Sequence, residues 1–69
     1  MTAIDLRDAA IEIFGRRGWT SGLAESLGID RTTVYRYINA QMPIPGPVDA
    51  AVKSWLTTYR RSGERPQAL

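Results

Sequence analysis

The sequence predicts an all-α domain, and three observations carry that prediction. Apolar residues recur with helical period in four separate segments. Residues that cap helices, Thr2, Gly28 and Asp30 among them, stand at the segment boundaries. Only Gln41-Met42-Pro43-Ile44-Pro45-Gly46-Pro47 resists a helix outright, because three prolines in five residues leave an extended, stiff connection. Sixty-nine residues allow one small domain. A chain of this size buries only about 60% of the surface its unfolded form exposes, so its core must be economical.

The first helix is expected over Ile4 to Phe14. Leu6, Ala9, Ala10, Ile13 and Phe14 form its inner stripe, with Asp8, Glu12 and Arg16 opposite. Thr2 suits its N-cap, and Asp5 and Asp8 suit the positive end of its dipole. Ile4 and Ile11 make a second ridge, which predicts contact with more than one neighbour. Gly15 and Gly18 end this helix. The second segment, Trp19 to Leu27, is too short to be stable alone and must be held by packing through Leu23 and Leu27. Ala24 is small enough to let another helix cross closely. Gly28 suits a left-handed C-terminal cap, and Asp30 suits the N-cap of a third helix, Arg31 to Asn39. Val34, Tyr37 and Ile38 of that helix point inward, while Thr32, Tyr35, Arg36 and Asn39 point out. Pro47 fits the first position of a fourth helix, Val48 to about Arg60, because its missing N–H costs nothing there. Val48, Ala51, Val52, Trp55, Leu56 and Tyr59 line one stripe of it. Residues 1–61 are thus read as the folded domain and 62–69 as a flexible C-terminal tail.

Composition narrows the chemistry. There is no cysteine and no histidine, which removes disulfides, thiolate nucleophiles and the commonest general base and metal ligands. No catalytic residue, metal site or cofactor is expected, and the chain is read as a non-enzyme without a small-molecule ligand. The longest apolar run falls far short of the roughly 20 residues that span a bilayer. Met1 to Arg7 lacks the basic start and apolar block of a secretory signal, so no membrane partner and a cytoplasmic location are expected.

Nine basic against seven acidic side chains give a net charge of only +2. The charges are unevenly placed. Residues 1–30 carry three basic and five acidic side chains, whereas residues 31–69 carry six and two. No acid lies between Asp30 and Asp49, and eight of the nine basic residues are arginine, whose flat fork matches phosphate and guanine edges. This asymmetry points to a polyanion on one side of the molecule.

The most informative pattern spans the second and third helices. Leu23-Ala24, Leu27-Gly28-Ile29 and Val34, ten residues beyond Ala24, have the spacing of two short helices crossing over a tight turn. Residues 19–48, from Trp19-Thr20-Ser21-Gly22-Leu23-Ala24 through Gly28-Ile29-Asp30-Arg31-Thr32-Thr33-Val34-Tyr35-Arg36-Tyr37-Ile38-Asn39 to Pro43-Ile44-Pro45-Gly46-Pro47-Val48, resemble the Cro and phage-repressor class of helix-turn-helix domains. With its flanking helices the resemblance covers roughly residues 3–60.

That resemblance implies a compact bundle of four to five helices and sequence-specific binding of double-stranded DNA. It also implies a homodimer on inverted-repeat operators and, in most bacterial and phage members, repression of transcription. By position, Arg31, Thr32, Tyr35 and Arg36 match base-reading residues, while Thr20, Ser21, Thr33, Asn39 and Gln41 match phosphate contacts. Thr20 stands where many relatives carry glutamine, and Gln41 where they often carry lysine or arginine. The chemistry agrees with the division. Arginine grips guanine O6 and N7 with two bonds, threonine packs a methyl against thymine, and hydroxyls and amides hold phosphates without reading sequence. Leu56 and Tyr59, at the edge of the wide fourth stripe, are candidates for the dimer contact.

Plainer readings stand beside these. Arg31 and Arg36 can be solvated surface charges and Tyr35 a surface aromatic. Phe14 and Trp19 read as core, Trp55 as core or dimer interface, and Asp5 with Asp8 as helix-start charge. The competing function is a helical protein-interaction adaptor, such as the antitoxin of a toxin–antitoxin pair. An adaptor has no reason to keep the outer face of the third helix free of acids.

Overall fold

A computed structural model of the chain describes residues 1–66 as four α-helices joined by short links, with no strand among the described residues. These are α1 (Ala3–Phe14), α2 (Trp19–Leu27), α3 (Arg31–Ile38) and α4 (Gly46–Ser62). The all-α class predicted from the sequence is what the structure has, at the lower of the two helix counts.

Local chemistry sets most boundaries. At the start of α1, Thr2 Oγ1 accepts the Asp5 amide at 3.1 Å and Asp5 Oδ2 accepts the Thr2 amide at 3.1 Å. Each residue thereby satisfies a donor that the helix start would leave unpaired. α1 ends at Gly15, whose N–H donates to the Ile11 carbonyl. α2 ends at Gly28 in the left-handed conformation, φ +71°. The Gly28 amide reaches the Glu25 carbonyl at 3.2 Å and the Ile29 amide the Ala24 carbonyl at 3.0 Å, which closes the turn without a side chain. Asp30 then caps α3 by accepting the Thr33 amide at 2.9 Å.

α1 is the centre of the packing. Its Leu6, Ala9, Ala10 and Ile13 are all buried, and α2, α3 and α4 each pack against it. Leu23 and Ala24 from α2, Val34 and Tyr37 from α3 and Val52 from α4 complete the core, with Phe14, Trp19, Leu27 and Trp55 packed around it. Truncating any fully buried leucine or isoleucine of this set to alanine is worth about 2–5 kcal/mol. Gly22 permits the closest approach of α1 and α2. A Cβ there would lie 2.7 Å from Phe14 Cδ1 and 2.9 Å from Cγ, so the Phe14 ring rests directly on the α2 backbone.

Several boundaries differ from the expectation. α4 begins at Gly46 rather than Val48, with Pro45 as N-cap and Pro47 inside the first turn. A first-turn N–H has no intrahelical acceptor, so proline is tolerated there. Asn39 is the C-cap of α3 rather than its last helical residue. At the other end, Ser62 belongs to α4, which closes on left-handed Gly63. Arg65 then turns back, donating from Nε to the Ile13 carbonyl at 2.8 Å and lying over the Tyr59 ring at 5.9 Å. The described part of the expected tail is therefore anchored to the end of α1, and residues 67–69 lie outside the described residues. Ala40 is the one non-glycine residue with positive φ among those described, at +58°.

Two substitutions test the backbone reading. Gly28→Val meets no neighbour within 4 Å, so its cost is conformational, at least about 1–2 kcal/mol for an L side chain in the left-handed region. The melting temperature should fall by about 4–8 °C per kcal/mol. Ala40→Gly should raise it, because the native φ suits glycine. Thermal denaturation followed by circular dichroism checks both.

Candidate nucleic-acid interface

α3 presents two faces of opposite character. Val34 and Tyr37 are buried and Ile38 half-buried, whereas Arg31, Thr32, Tyr35, Arg36 and Asn39 are exposed. At about 100° per residue the exposed set covers an arc of about 140°. Tyr35 is 50% exposed, so its ring is available to a partner while its backbone stays in the helix. The inward and outward assignments made for α3 from the sequence match this arrangement.

The one acid at the start of α3 is engaged in holding the helix. Asp30 Oδ1 accepts both the Thr33 hydroxyl at 2.7 Å and the Thr33 amide at 2.9 Å. These bonds, the hydroxyl's foremost, hold the Asp30 carboxyl below its ordinary range. Arg31 and Arg36 make no ion pair among the described residues. Paired cations lie elsewhere: Arg60 binds Glu12 through Nε at 2.7 Å and Nη2 at 3.0 Å, and Lys53 binds Asp49 at 2.7 Å. Both acids are held below their usual range, Glu12 by Arg60 and Asp49 by Lys53 and then the Met1 amino group.

The other predicted contacts are not all equally placed. Asn39 and Gln41 are exposed, and the Gln41 backbone N–H donates to the Arg36 carbonyl at 2.8 Å. Thr20 and Ser21 are half-buried at the start of α2, as is Thr33, whose hydroxyl hydrogen is already given to Asp30. In the free chain the Thr33 hydroxyl hydrogen is thus given to its own N-cap, and its oxygen lone pairs remain open to an outside donor. Ser21 and Arg31 come together across an open cleft of about 390 Å³, also lined by Ala24, Glu25, Ile29 and Asp30. Arg16 and Arg17 are two further exposed cations, immediately before α2, without an ion pair among the described residues. The sequence places both between Gly15 and Gly18, beyond the end of α1, where no helical pattern singles them out.

Leu56 and Tyr59 are half-buried. Leu56 packs against the core and lines the groove between α1 and α4, and Tyr59 lies under Arg65. Each is thus partly covered by its own chain. Among the described residues no cluster of His, Cys, Asp or Glu is placed to hold a metal ion, and no helix is long and apolar enough to cross a membrane.

Compared with known proteins, the chain matches no family model, no curated protein and no solved structure.

The acids engaged in caps and ion pairs give the fold a definite acid response. Asp5 is held below its ordinary range by the Thr2 amide first, Asp30 by Thr33 and Glu12 by Arg60. A carboxyl with a depressed pKa in the folded state contributes stability that is complete above its unfolded pKa, about 4, and lost as pH falls through the lower folded value. The melting temperature should therefore hold from neutral pH down to about 5 and fall steadily below about 4. Asp30→Asn keeps a good capping group without the titration. It should melt close to wild type at neutral pH and lose less stability than wild type on acidification.

Proposed function

We propose that the chain is a sequence-specific double-stranded DNA-binding protein that acts as a small transcriptional regulator, with α3 as its reading helix. The observation that carries this reading is the outer arc of α3. It combines two unpaired arginines with Thr32, Tyr35 and Asn39, contains no acid, and is held rigid by the Asp30 cap. A helix so furnished matches the donor, acceptor and methyl pattern of a major groove.

In this mechanism α2 and α3, joined at Gly28-Ile29-Asp30, act as a helix-turn-helix. Val34 and Tyr37 fix α3 from within, so that Arg31, Thr32, Tyr35 and Arg36 approach base edges together. Arg36 and Arg31 grip guanine O6 and N7, and Thr32 and Tyr35 make methyl and apolar contacts. Thr20, Ser21, Thr33, Asn39 and Gln41 hold phosphates and set the register without reading sequence. Arg16 and Arg17 add charge toward the same polyanion. A single copy offers few cationic contacts, so two copies on an inverted repeat, with half-sites about 34 Å apart, supply the affinity and the symmetry. Regulation follows by occupancy: a bound dimer covers the site and represses.

The test is a binding titration against a duplex selected from a random pool, run at several salt concentrations. Affinity should fall linearly in log–log form with salt, because each neutralised phosphate releases counterions. Arg36→Ala should cost about 1–3 kcal/mol on the preferred site and relax preference at one base pair. Arg16→Ala should weaken all sequences alike and lower the salt slope by about 1. Binding that is absent at low salt, or an Arg36→Ala variant with unchanged affinity and preference, would contradict the reading.

A further inference from the structure

α1 buries one face in the core, and on the opposite face Ile4 has little cover among the described residues. Ile4 is 64% exposed, the most exposed large apolar side chain among the described residues. Ile11, one heptad further on, is half-buried. At about 100° per residue the two lie within about 20° of each other, on the side away from Leu6, Ala9 and Ile13. The second neighbour expected for this ridge is therefore not supplied at Ile4. Arg7 and Asp8 flank the line, one on each side, and both are more than half exposed. Their contact with each other is loose, 3.6 Å between adjacent residues, and an exposed pair of that kind contributes little.

We propose that this face of α1 docks a second copy of the same chain, with the two α1 helices parallel about a two-fold axis. Charge decides the orientation. A two-fold axis running along parallel helices carries each flank to the opposite side of the seam. Arg7 then faces the partner's Asp8, the contact occurs twice, and Ile4 meets the partner's Ile4. An antiparallel two-fold pair keeps each flank on its own side. Arg7 would then face the partner's Arg7, and the acid row of Asp5, Asp8 and Glu12 would face its own copy. Opposite charges across a shared face favour the parallel pairing, and like charges oppose the other. The face is a single narrow stripe, well below a standard interface, so the dimer is reversible and concentration-dependent. It does not depend on DNA binding: a chain that pairs through α1 and ignores duplexes would leave this inference standing.

The experiment is sedimentation equilibrium of the full chain over a wide concentration range, with four variants. Wild type should move from the mass of one copy toward that of two. Ile4→Glu should weaken association at least tenfold with an unchanged melting temperature, since Ile4 is outside the core. Arg7→Asp alone and Asp8→Arg alone should each weaken association, and the two together should restore it. Because the chain has no cysteine, Ile4→Cys adds a direct readout of register. A disulfide needs Cα atoms about 4.4–6.8 Å apart, so mild oxidation should cross-link Ile4→Cys far faster than Thr58→Cys on α4. A wild-type chain that stays at one copy throughout, association insensitive to Ile4→Glu, no rescue by the charge swap, or equal cross-linking of the two cysteine variants would each overturn the proposal.

Discussion

Three helices share one twelve-residue helix, and the rest of the molecule follows from that constraint. α1 supplies Leu6, Ala9, Ala10 and Ile13 to the core, and α2, α3 and α4 all pack on it. The two alanines in the middle of that stripe leave room for backbones to come close, and Gly22 lets Phe14 lie on α2. A chain of this size has little apolar surface to spare, so both ends of α1 are also tied by polar contacts. The capping box of Thr2 and Asp5 holds its start, and Arg65 holds the carbonyl of Ile13 near its end. Arg60 and Glu12 join α4 to α1 along the flank.

Fixing α1 in this way determines what is left on the outside. α3 is only eight residues long and would not persist as an isolated helix. It is held by Val34 and Tyr37 from within and by Asp30 at its start, and those three residues leave the arc from Arg31 to Asn39 uncommitted. Four of the seven acids serve structural ends: Asp5 and Asp30 cap helices, and Glu12 and Asp49 pair with Arg60 and Lys53. Asp8 makes only a loose contact with Arg7, and Glu25 and Glu64 make no ion pair among the described residues. Arginines 16, 17, 31, 36 and 61 have no such partner among the described residues. The net charge of +2 thus includes several exposed arginines that no acid pairs with among the described residues. The acid-free outer face of α3 is the surface on which the proposed polyanionic partner would bind.

The parts legible in the sequence were those governed by neighbours in the chain. Thr2, Gly28 and Asp30 act through residues one to four positions away, and the wheel of α3 separates buried from exposed because its period is helical. The rest depended on contacts that no local pattern carries. Arg60 and Glu12 are 48 residues apart, Arg65 and Ile13 are 52. Pro47 is expected to open α4, but the helix starts one residue earlier, at Gly46, which the proline-rich connection does not announce. Ala40 takes a left-handed conformation that alanine does not advertise. That the Thr33 hydroxyl bonds the Asp30 carboxylate three residues earlier is a side-chain pairing that the helical wheel does not show. For α1 the wheel names the inner stripe correctly, but whether a second neighbour covers the Ile4–Ile11 ridge depends on contacts outside the helix.

The central claim is that α3, fixed from within by α1, offers its outer arc to duplex DNA. Amide chemical-shift mapping of the labelled full chain, titrated with a duplex enriched from a random pool, tests it most directly. The account predicts that the perturbed amides cluster at Arg31, Thr32, Tyr35 and Arg36 and at Thr20 and Ser21, with the outer face of α4 unchanged. Perturbations confined to α4 and the α1–α4 groove, or none at saturating duplex, would contradict it.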